Sequence, residues 1–273
     1  KGIEYSRNLM TVRIAKVLGL KNILELSEKL DIYDDIPELL SVSLGAAETT
    51  LINLTSAYAS FVNGGKKVNP TLISRIQDRR GKTIFKLKSR ECLGCDKFIN
   101  TGEKLPIIKN TNIQVFSKET AYQMVSILEG AVKRGTAKKL KSLNVPLAGK
   151  TGTTNNNFDA WFIGFSSNLV IGVYVGFDNP QTLGKYETGS KAALPIFKNF
   201  IENALYKEDF KEFDIPENIY LTSLNYDTGL KSSVGDKKTI IEALKIKDIN
   251  NINNNSLISI NSRDSLVKFR QFY

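Results

Sequence analysis

Apolar residues in the first sixty positions recur at three- and four-residue spacing, the period of a helix with one buried face. Residues 8–20 place Leu9, Val12, Ala15, Val17 and Leu18 mostly on that period, and Gly19 is a stop signal. A second short helix is predicted over 22–30, closed before Pro37. Residues 49–62 carry Leu51, Leu54, Ala57, Tyr58 and Phe61 as a stripe that predicts core packing, ended by Gly64-Gly65. The period then drops to two. Residues 72–77 and 83–88 alternate around Asp78-Arg79-Arg80-Gly81 and predict a hairpin, whereas 89–113 show no period and are expected to be irregular. Ser117 is placed to cap a helix whose apolar face runs over 121–132, with Gly135 closing it. Strands are predicted over 147–154, 160–165 and 169–177, the last two joined by Ser166-Ser167-Asn168, and a helix over 190–205. Gly152, Gly164, Gly172 and Gly176 sit inside these strands. Glycine weakens a strand, so its recurrence predicts the close approach of a ligand or another backbone.

Beyond residue 206 the pattern fades. A strand over 219–224 and a turn at Asp227-Thr228-Gly229 are the remaining signals, and 248–255 hold five asparagines in eight positions, a composition that cannot build a core. Three segments result: 1–212, a β-containing extension over 213–247, and a tail over 248–273 expected to be mobile. Helices, then strands, then a helix predict an α/β chain of the α+β type, an antiparallel sheet flanked by helices. No internal repeat is visible.

Composition narrows the chemistry. The 273 residues contain no histidine, which removes Ser-His-Asp and Cys-His pairs, His-ligated zinc and any imidazole acid–base step. Catalysis here must use Ser, Thr, Lys, Tyr or carboxylates, with no cofactor implied. Two cysteines, Cys92 and Cys95, are too few for a zinc site that wants about four ligands, so no metal is expected; a half-site or a redox pair stays open. The net charge is +10, but 29 of the 38 cations are lysines scattered along the chain. That reads as a solubilising surface rather than the arginine–aromatic clustering of a nucleic-acid binder. The most apolar run, 169–177, is far short of the ~20 residues a spanning helix needs. The opening Lys1-Gly2-Ile3-Glu4 resembles neither a signal peptide nor an anchor, and the chain reads as part of a longer protein.

The sharpest motif is Lys150-Thr151-Gly152-Thr153-Thr154 on a predicted strand, followed by Asp159-Ala160-Trp161-Phe162. Alternation puts Lys150 and Gly152 on one face and Thr151 and Thr153 on the other, and Gly152 leaves room for a substrate backbone at the strand edge. A surface strand ending in turn asparagines would look the same. Ser6-Arg7-Asn8 stands just before the first helix, where a serine taken alone reads as an N-cap. Trp161 and Phe162 read as core. Tyr5, Tyr186 and Glu187 lie near motifs without an evident role.

Together these segments resemble a known family. Lys-Thr-Gly preceded by Ser-x-Asn is shared by penicillin-binding proteins and serine β-lactamases. Ser43-Leu44-Gly45-Ala46-Ala47-Glu48-Thr49-Thr50, Asn63-Gly64-Gly65, and Tyr186-Glu187-Thr188-Gly189-Ser190 ahead of Pro195-Ile196-Phe197-Lys198-Asn199-Phe200 resemble the transpeptidase domain of class A, bifunctional penicillin-binding proteins. The resemblance covers residues 1 to about 235 and implies the penicillin-binding protein/serine β-lactamase fold. One departure stands out. The family's nucleophile lies in a Ser-x-x-Lys motif ahead of Ser-x-Asn, and only five residues precede Ser6. The single Ser-x-x-Lys, Ser265-Leu266-Val267-Lys268, follows the Lys-Thr-Gly strand and reads as coincidence. The nucleophile is therefore expected outside this chain, on an N-terminal part of the same protein, together with its membrane anchor.

The resemblance implies acyl transfer from a peptidoglycan stem peptide ending in D-Ala-D-Ala, with β-lactams as mimics. Ser6 would shuttle a proton, Asn8 would bind the substrate amide, and Lys150 would stay cationic, since neutralising a lysine at pH 7 takes about 4 kcal/mol. Thr151 and Thr153 would meet the substrate carboxylate, with Gly152 and Thr154 completing the binding strand, and the Thr153 N–H would serve the oxyanion. Because the family works outside the cytoplasmic membrane, a short-loop Cys92–Cys95 disulfide is implied. A scaffolding relative that binds substrate without catalysis, a serine β-lactamase and a nucleic-acid binder are the competing readings. The flanking segments and the lack of a deacylating Glu motif argue against the second, and the scattered charge against the third.

Overall fold

The computed structural model describes residues 1–87, 90–93 and 106–246. Its centre is a three-stranded antiparallel meander of β5 (Ala148–Thr153), β6 (Ala160–Phe165) and β7 (Val170–Val175) in that spatial order. The pairing sets Lys150 opposite Ile163, and Ile163 opposite Gly172. Helix α5 (Ala193–Ala204) covers one face, where Phe197 meets Phe162 edge-on at 4.9 Å among Leu140, Leu147 and Leu194, all buried. Helices α3 (Leu51–Val62) and α4 (Lys118–Lys133) cover the other, with Val125 and Leu128 against Ala148 and Phe165, and Tyr58 and Phe61 at the rim. Removing a side chain such as Phe162 from water contributes roughly 1.5–3 kcal/mol.

Local chemistry sets the helix starts. The Ser117 hydroxyl accepts from the Thr120 N–H at 3.2 Å and the Thr50 hydroxyl from the Asn53 N–H at 3.1 Å, each satisfying a donor the helix cannot. Two of the strand glycines make room for the protein's own helices rather than for a ligand. A Cβ on Gly164 would lie 2.6 Å from the Phe197 ring, and one on Gly172 would lie 2.1 Å from the Thr55 hydroxyl of α3.

At the N-terminus, α1 (Asn8–Leu18) and α2 (Leu20–Lys29) meet at Gly19, so the second helix starts two residues earlier than its apolar period indicates. In α1 only Ala15 is buried, while Leu9, Val17 and Leu18 are exposed; the period marks the helix without marking a core face. Arg7, not Ser6, occupies the N-cap position of α1. The hairpin β1 (Arg75–Gln77) and β2 (Thr83–Lys86) forms around Asp78, whose carboxylate accepts from the Arg80 and Lys82 N–H groups.

Part of the region expected to be irregular is ordered. β3 (Arg90–Leu93) pairs antiparallel with β4 (Ile107–Asn110); strands of four residues that mix charged and apolar positions are too short to display a period. Cys92 lies on β3, and Cys95 lies outside the described residues, as do Ser265 and the tail over 248–273.

The extension after residue 212 forms a second unpredicted pairing. β8 (Ile219–Asn225) and β9 (Thr239–Lys245) make an antiparallel hairpin along α4, where Gln123 Nε2 donates to the Ala243 carbonyl at 3.2 Å and Lys245 Nζ to Thr120 Oγ1 at 2.7 Å. Among the described residues no helix is long and apolar enough to cross a membrane.

Candidate active site

β5 is an edge strand of the meander: one side of it pairs with β6, and among the described residues no strand pairs with the other, the edge at which a ligand backbone could lie. Lys150 points toward the α3–α4 face and is half-buried. Its Nζ donates to Ser6 Oγ at 2.5 Å and to the Thr151 carbonyl at 2.6 Å. Burial, which penalises the charged form, pushes the ammonium down to about 8, so the lysine remains mainly cationic at pH 7 with a narrow margin.

Ser6 reaches Lys150 from a coil wound tightly ahead of α1. The Ser6 N–H donates to the Ile3 carbonyl at 3.1 Å and the Arg7 N–H to the Gly2 carbonyl at 2.8 Å. The coil holds Ser6 at φ 52°, left-handed backbone that a serine rarely adopts and that costs about 1–3 kcal/mol. That strain turns the hydroxyl toward β5 instead of over the helix terminus. Asn8 is exposed in the first turn of α1, two residues on.

The four residues after Lys150 divide. Thr153 is exposed; its hydroxyl accepts from the Gly189 N–H at 3.0 Å and keeps its own proton for a further acceptor. The Thr151 hydroxyl faces inward and pairs with that of Thr136 at 2.9 Å. The Thr154 hydroxyl accepts from the Asp159 N–H at 2.8 Å and orders the turn into β6. Gly152 pairs with Trp161 across the ladder. Phe162 is in the core as expected from its pattern, whereas Trp161 is half-buried and lies against the Tyr174 ring at 4.8 Å, tilted by 53°, with the Tyr174 hydroxyl donating to Asp159 at 2.8 Å.

Ser6 and Lys150 are thus brought together; Asn8 follows Ser6 by two residues, Thr153 follows Lys150 by three, and both are exposed. Arg134, Thr136 and Gly189 were missed by sequence reading. The first two follow α4 directly, in a stretch whose glycine reads only as a helix stop, and Gly189 sits in a segment whose motif is recognisable but whose contact with β5 is not.

A sequence profile for the penicillin binding protein transpeptidase domain matches residues 1–202. The chain belongs to the penicillin-binding protein transpeptidase family. It is 39% identical over 271 residues to penicillin-binding protein 1A of Rickettsia conorii, covering 98% of this chain and 34% of that relative. Against penicillin-binding protein 1A of Pseudomonas aeruginosa the identity is 30% over 279 residues, covering 89% of this chain and 33% of the relative. The crystal structure of penicillin-binding protein 1A from Haemophilus influenzae superposes with a TM-score of 0.74 at 29% identity, covering 88% of this chain and 39% of that one. The penicillin G acyl-enzyme complex of penicillin-binding protein A from Mycobacterium tuberculosis shares the fold at 19% identity and a TM-score of 0.55, over 75% of this chain and 48% of the other. These relatives place the chain in the class A transpeptidase part of the family, and it spans about a third of the length of the curated ones.

Proposed function

We propose that residues 1–212 form part of a D,D-transpeptidase site that cross-links peptidoglycan stem peptides, with the nucleophilic serine supplied from outside these 273 residues. The contact between Lys150 Nζ and Ser6 Oγ at 2.5 Å carries the reading. In it, a serine adjacent to a lysine base attacks the carbonyl of the penultimate D-Ala, its proton passes through Ser6 to the departing nitrogen, and an ester to the stem peptide forms as D-Ala leaves. Lys150 stays protonated and orients the Ser6 hydroxyl, so the proton moves in one direction. Asn8 binds the substrate amide. Thr153 donates its hydroxyl to the substrate carboxylate, with Thr151 and Thr154 holding β5 in shape behind it and Gly152 letting the peptide lie close. The Thr153 N–H is one oxyanion donor, and an amino group of a neighbouring stem peptide resolves the ester. β-Lactams enter by the same route and stay on the nucleophile. The domain then works on the outer face of the cytoplasmic membrane, where Cys92 and Cys95 would be oxidised to a disulfide.

The test is fluorescent-penicillin labelling on a denaturing gel. The 273-residue chain gives no covalent band, because orientation and charge cannot replace the missing hydroxyl. A longer polypeptide with a Ser-x-x-Lys segment ahead of Ser6 labels, and Lys150→Ala in it lowers the labelling rate by about 10²–10³-fold, the scale of losing one electrostatic contributor. A band on the short chain would overturn the assignment and make Ser265 the residue to replace first. A longer polypeptide that stays unlabelled would favour a scaffolding relative.

A further inference from the structure

Ser6 stands in strained backbone, and something must hold it there. Glu4, two residues earlier, is 2% exposed, and its carboxylate is paired with the Arg134 guanidinium through Nε at 3.1 Å and through Nη2. The Glu4 carbonyl accepts from the Thr136 N–H at 3.1 Å. The end of α4 is shaped for this approach: a Cβ on Gly130 would fall 2.4 Å from the Glu4 carboxylate, and one on Gly135 2.3 Å from its carbonyl. Arg134 does not end at Glu4. Its Nη2 also donates to Glu242 Oε1 on β9 at 2.9 Å, so one guanidinium ties the Ser6 coil to the C-terminal hairpin. The turn of that hairpin touches the coil a second time, where Lys1 Nζ pairs with Asp227 at 2.7 Å and lies 4.1 Å above the Tyr226 ring.

We propose that the β8–β9 hairpin is a clamp on the Ser6 coil, acting through Glu242 and Arg134 as positioning residues for the acyl-transfer step. The hairpin lies wholly beyond the segment that matches the transpeptidase profile, residues 1–202, so its contribution is not implied by membership of the family. A guanidinium shared between two carboxylates is fixed in its plane by both. Releasing Glu242 leaves Arg134 with one carboxylate and the Tyr226 ring 5.9 Å away, and lets Glu4, and Ser6 behind it, drift. The same helix end reaches the other half of the site, since Thr136 binds the Glu4 carbonyl through its N–H and Thr151 through its hydroxyl. The clamp therefore sets the coil and β5 relative to each other.

The proposal rests on the role given above to Ser6, and the experiment separates the two. Penicillin acylation of the full-length protein containing this domain is resolved into a binding constant and a first-order acylation rate for wild type, Glu242→Gln, Ser6→Ala, the double variant and Lys245→Ala. Glu242→Gln lowers the acylation rate about tenfold, below the ~100-fold that an ångström of misplacement can cost, while binding and the final extent of labelling stay at wild-type values. In the Ser6→Ala background the same change has no further effect, because the clamp has nothing left to position. Lys245→Ala, which loosens the hairpin at the far end of α4, keeps the wild-type rate. A wild-type rate for Glu242→Gln beside a slow Ser6→Ala sinks the clamp alone, as does an equal tenfold loss in both backgrounds or in Lys245→Ala. A wild-type rate for Ser6→Ala sinks the role of Ser6 and the clamp with it.

Discussion

The strand that carries Lys150 and the coil that carries Ser6 are held by different kinds of contact. β5 is fixed by a ladder to β6 and by dry apolar layers, with Phe162 and Phe197 on one side and Val125, Leu128 and Phe165 on the other. The coil adds half-buried Ile3 to the second of these layers, and its remaining anchors are charged. It is held by a buried carboxylate, a shared guanidinium and a second carboxylate from the distant hairpin. Apolar packing is non-directional and tolerates small shifts, whereas charged hydrogen bonds fix direction and fail when one partner is lost. The half of the pair that must aim a hydroxyl is thus secured by the directional contacts, and the half that supplies charge by the bulk ones.

Two truncations should expose the difference. Phe162→Ala and Arg134→Ala each lower stability by about 3–5 kcal/mol, the first by leaving a cavity and the second by stranding two carboxylates. Their pH dependence separates them in urea unfolding. Without Arg134, which counters the burial of Glu242, the folded-state pKa of Glu242 rises further above its unfolded value, so folding is penalised most at pH 7 and recovers as pH falls toward 5. Glu242 already sits above the usual carboxylate range, first through burial, even with Arg134 beside it. The Phe162→Ala deficit is the same at both pH values. Equal pH profiles for the two variants would show that the coil is held by packing after all.

A smaller effect sharpens the role of Lys150. Burial pushes its ammonium down to about 8, so the acylation rate of the full-length protein should fall about tenfold between pH 7.5 and 9 as the cation is lost. A rate that stays flat to pH 9.5 would mean the charge is not used. The smallest effect is a control on an exposed helix surface. Lys198 pairs with Glu202 at 2.7 Å on α5, four residues apart, and Lys198→Ala should cost no more than about 0.5 kcal/mol in the same unfolding measurement.

What the sequence disclosed follows the same division. The meander, its register of faces and helices α3 to α5 were legible because their apolar periods report packing against neighbours near in space and regular in sequence. The Lys-Thr-Gly strand and Ser-x-Asn stood out as motifs. The clamp was not legible: Glu4, Arg134 and Glu242 are single charges far apart along the chain, and no period connects them. β3, β4 and β9 escaped because short or half-exposed strands carry too few alternating positions. The apolar stripe of α1 misled in the opposite direction, since spacing reports a helix but not what lies against it. Ser6 resembled a helix cap because composition before a helix is the same whether a hydroxyl turns to the helix or, at positive φ, away from it.

The central claim is that these residues form a binding and proton-handling half of an acyl-transfer site without its nucleophile. The most direct measurement is peptide mapping by mass spectrometry of the full-length protein after reaction with penicillin G. The account predicts one adduct, on a serine of a Ser-x-x-Lys peptide outside residues 1–273, with Ser6 and Ser265 unmodified. An adduct on either of those two serines would contradict it.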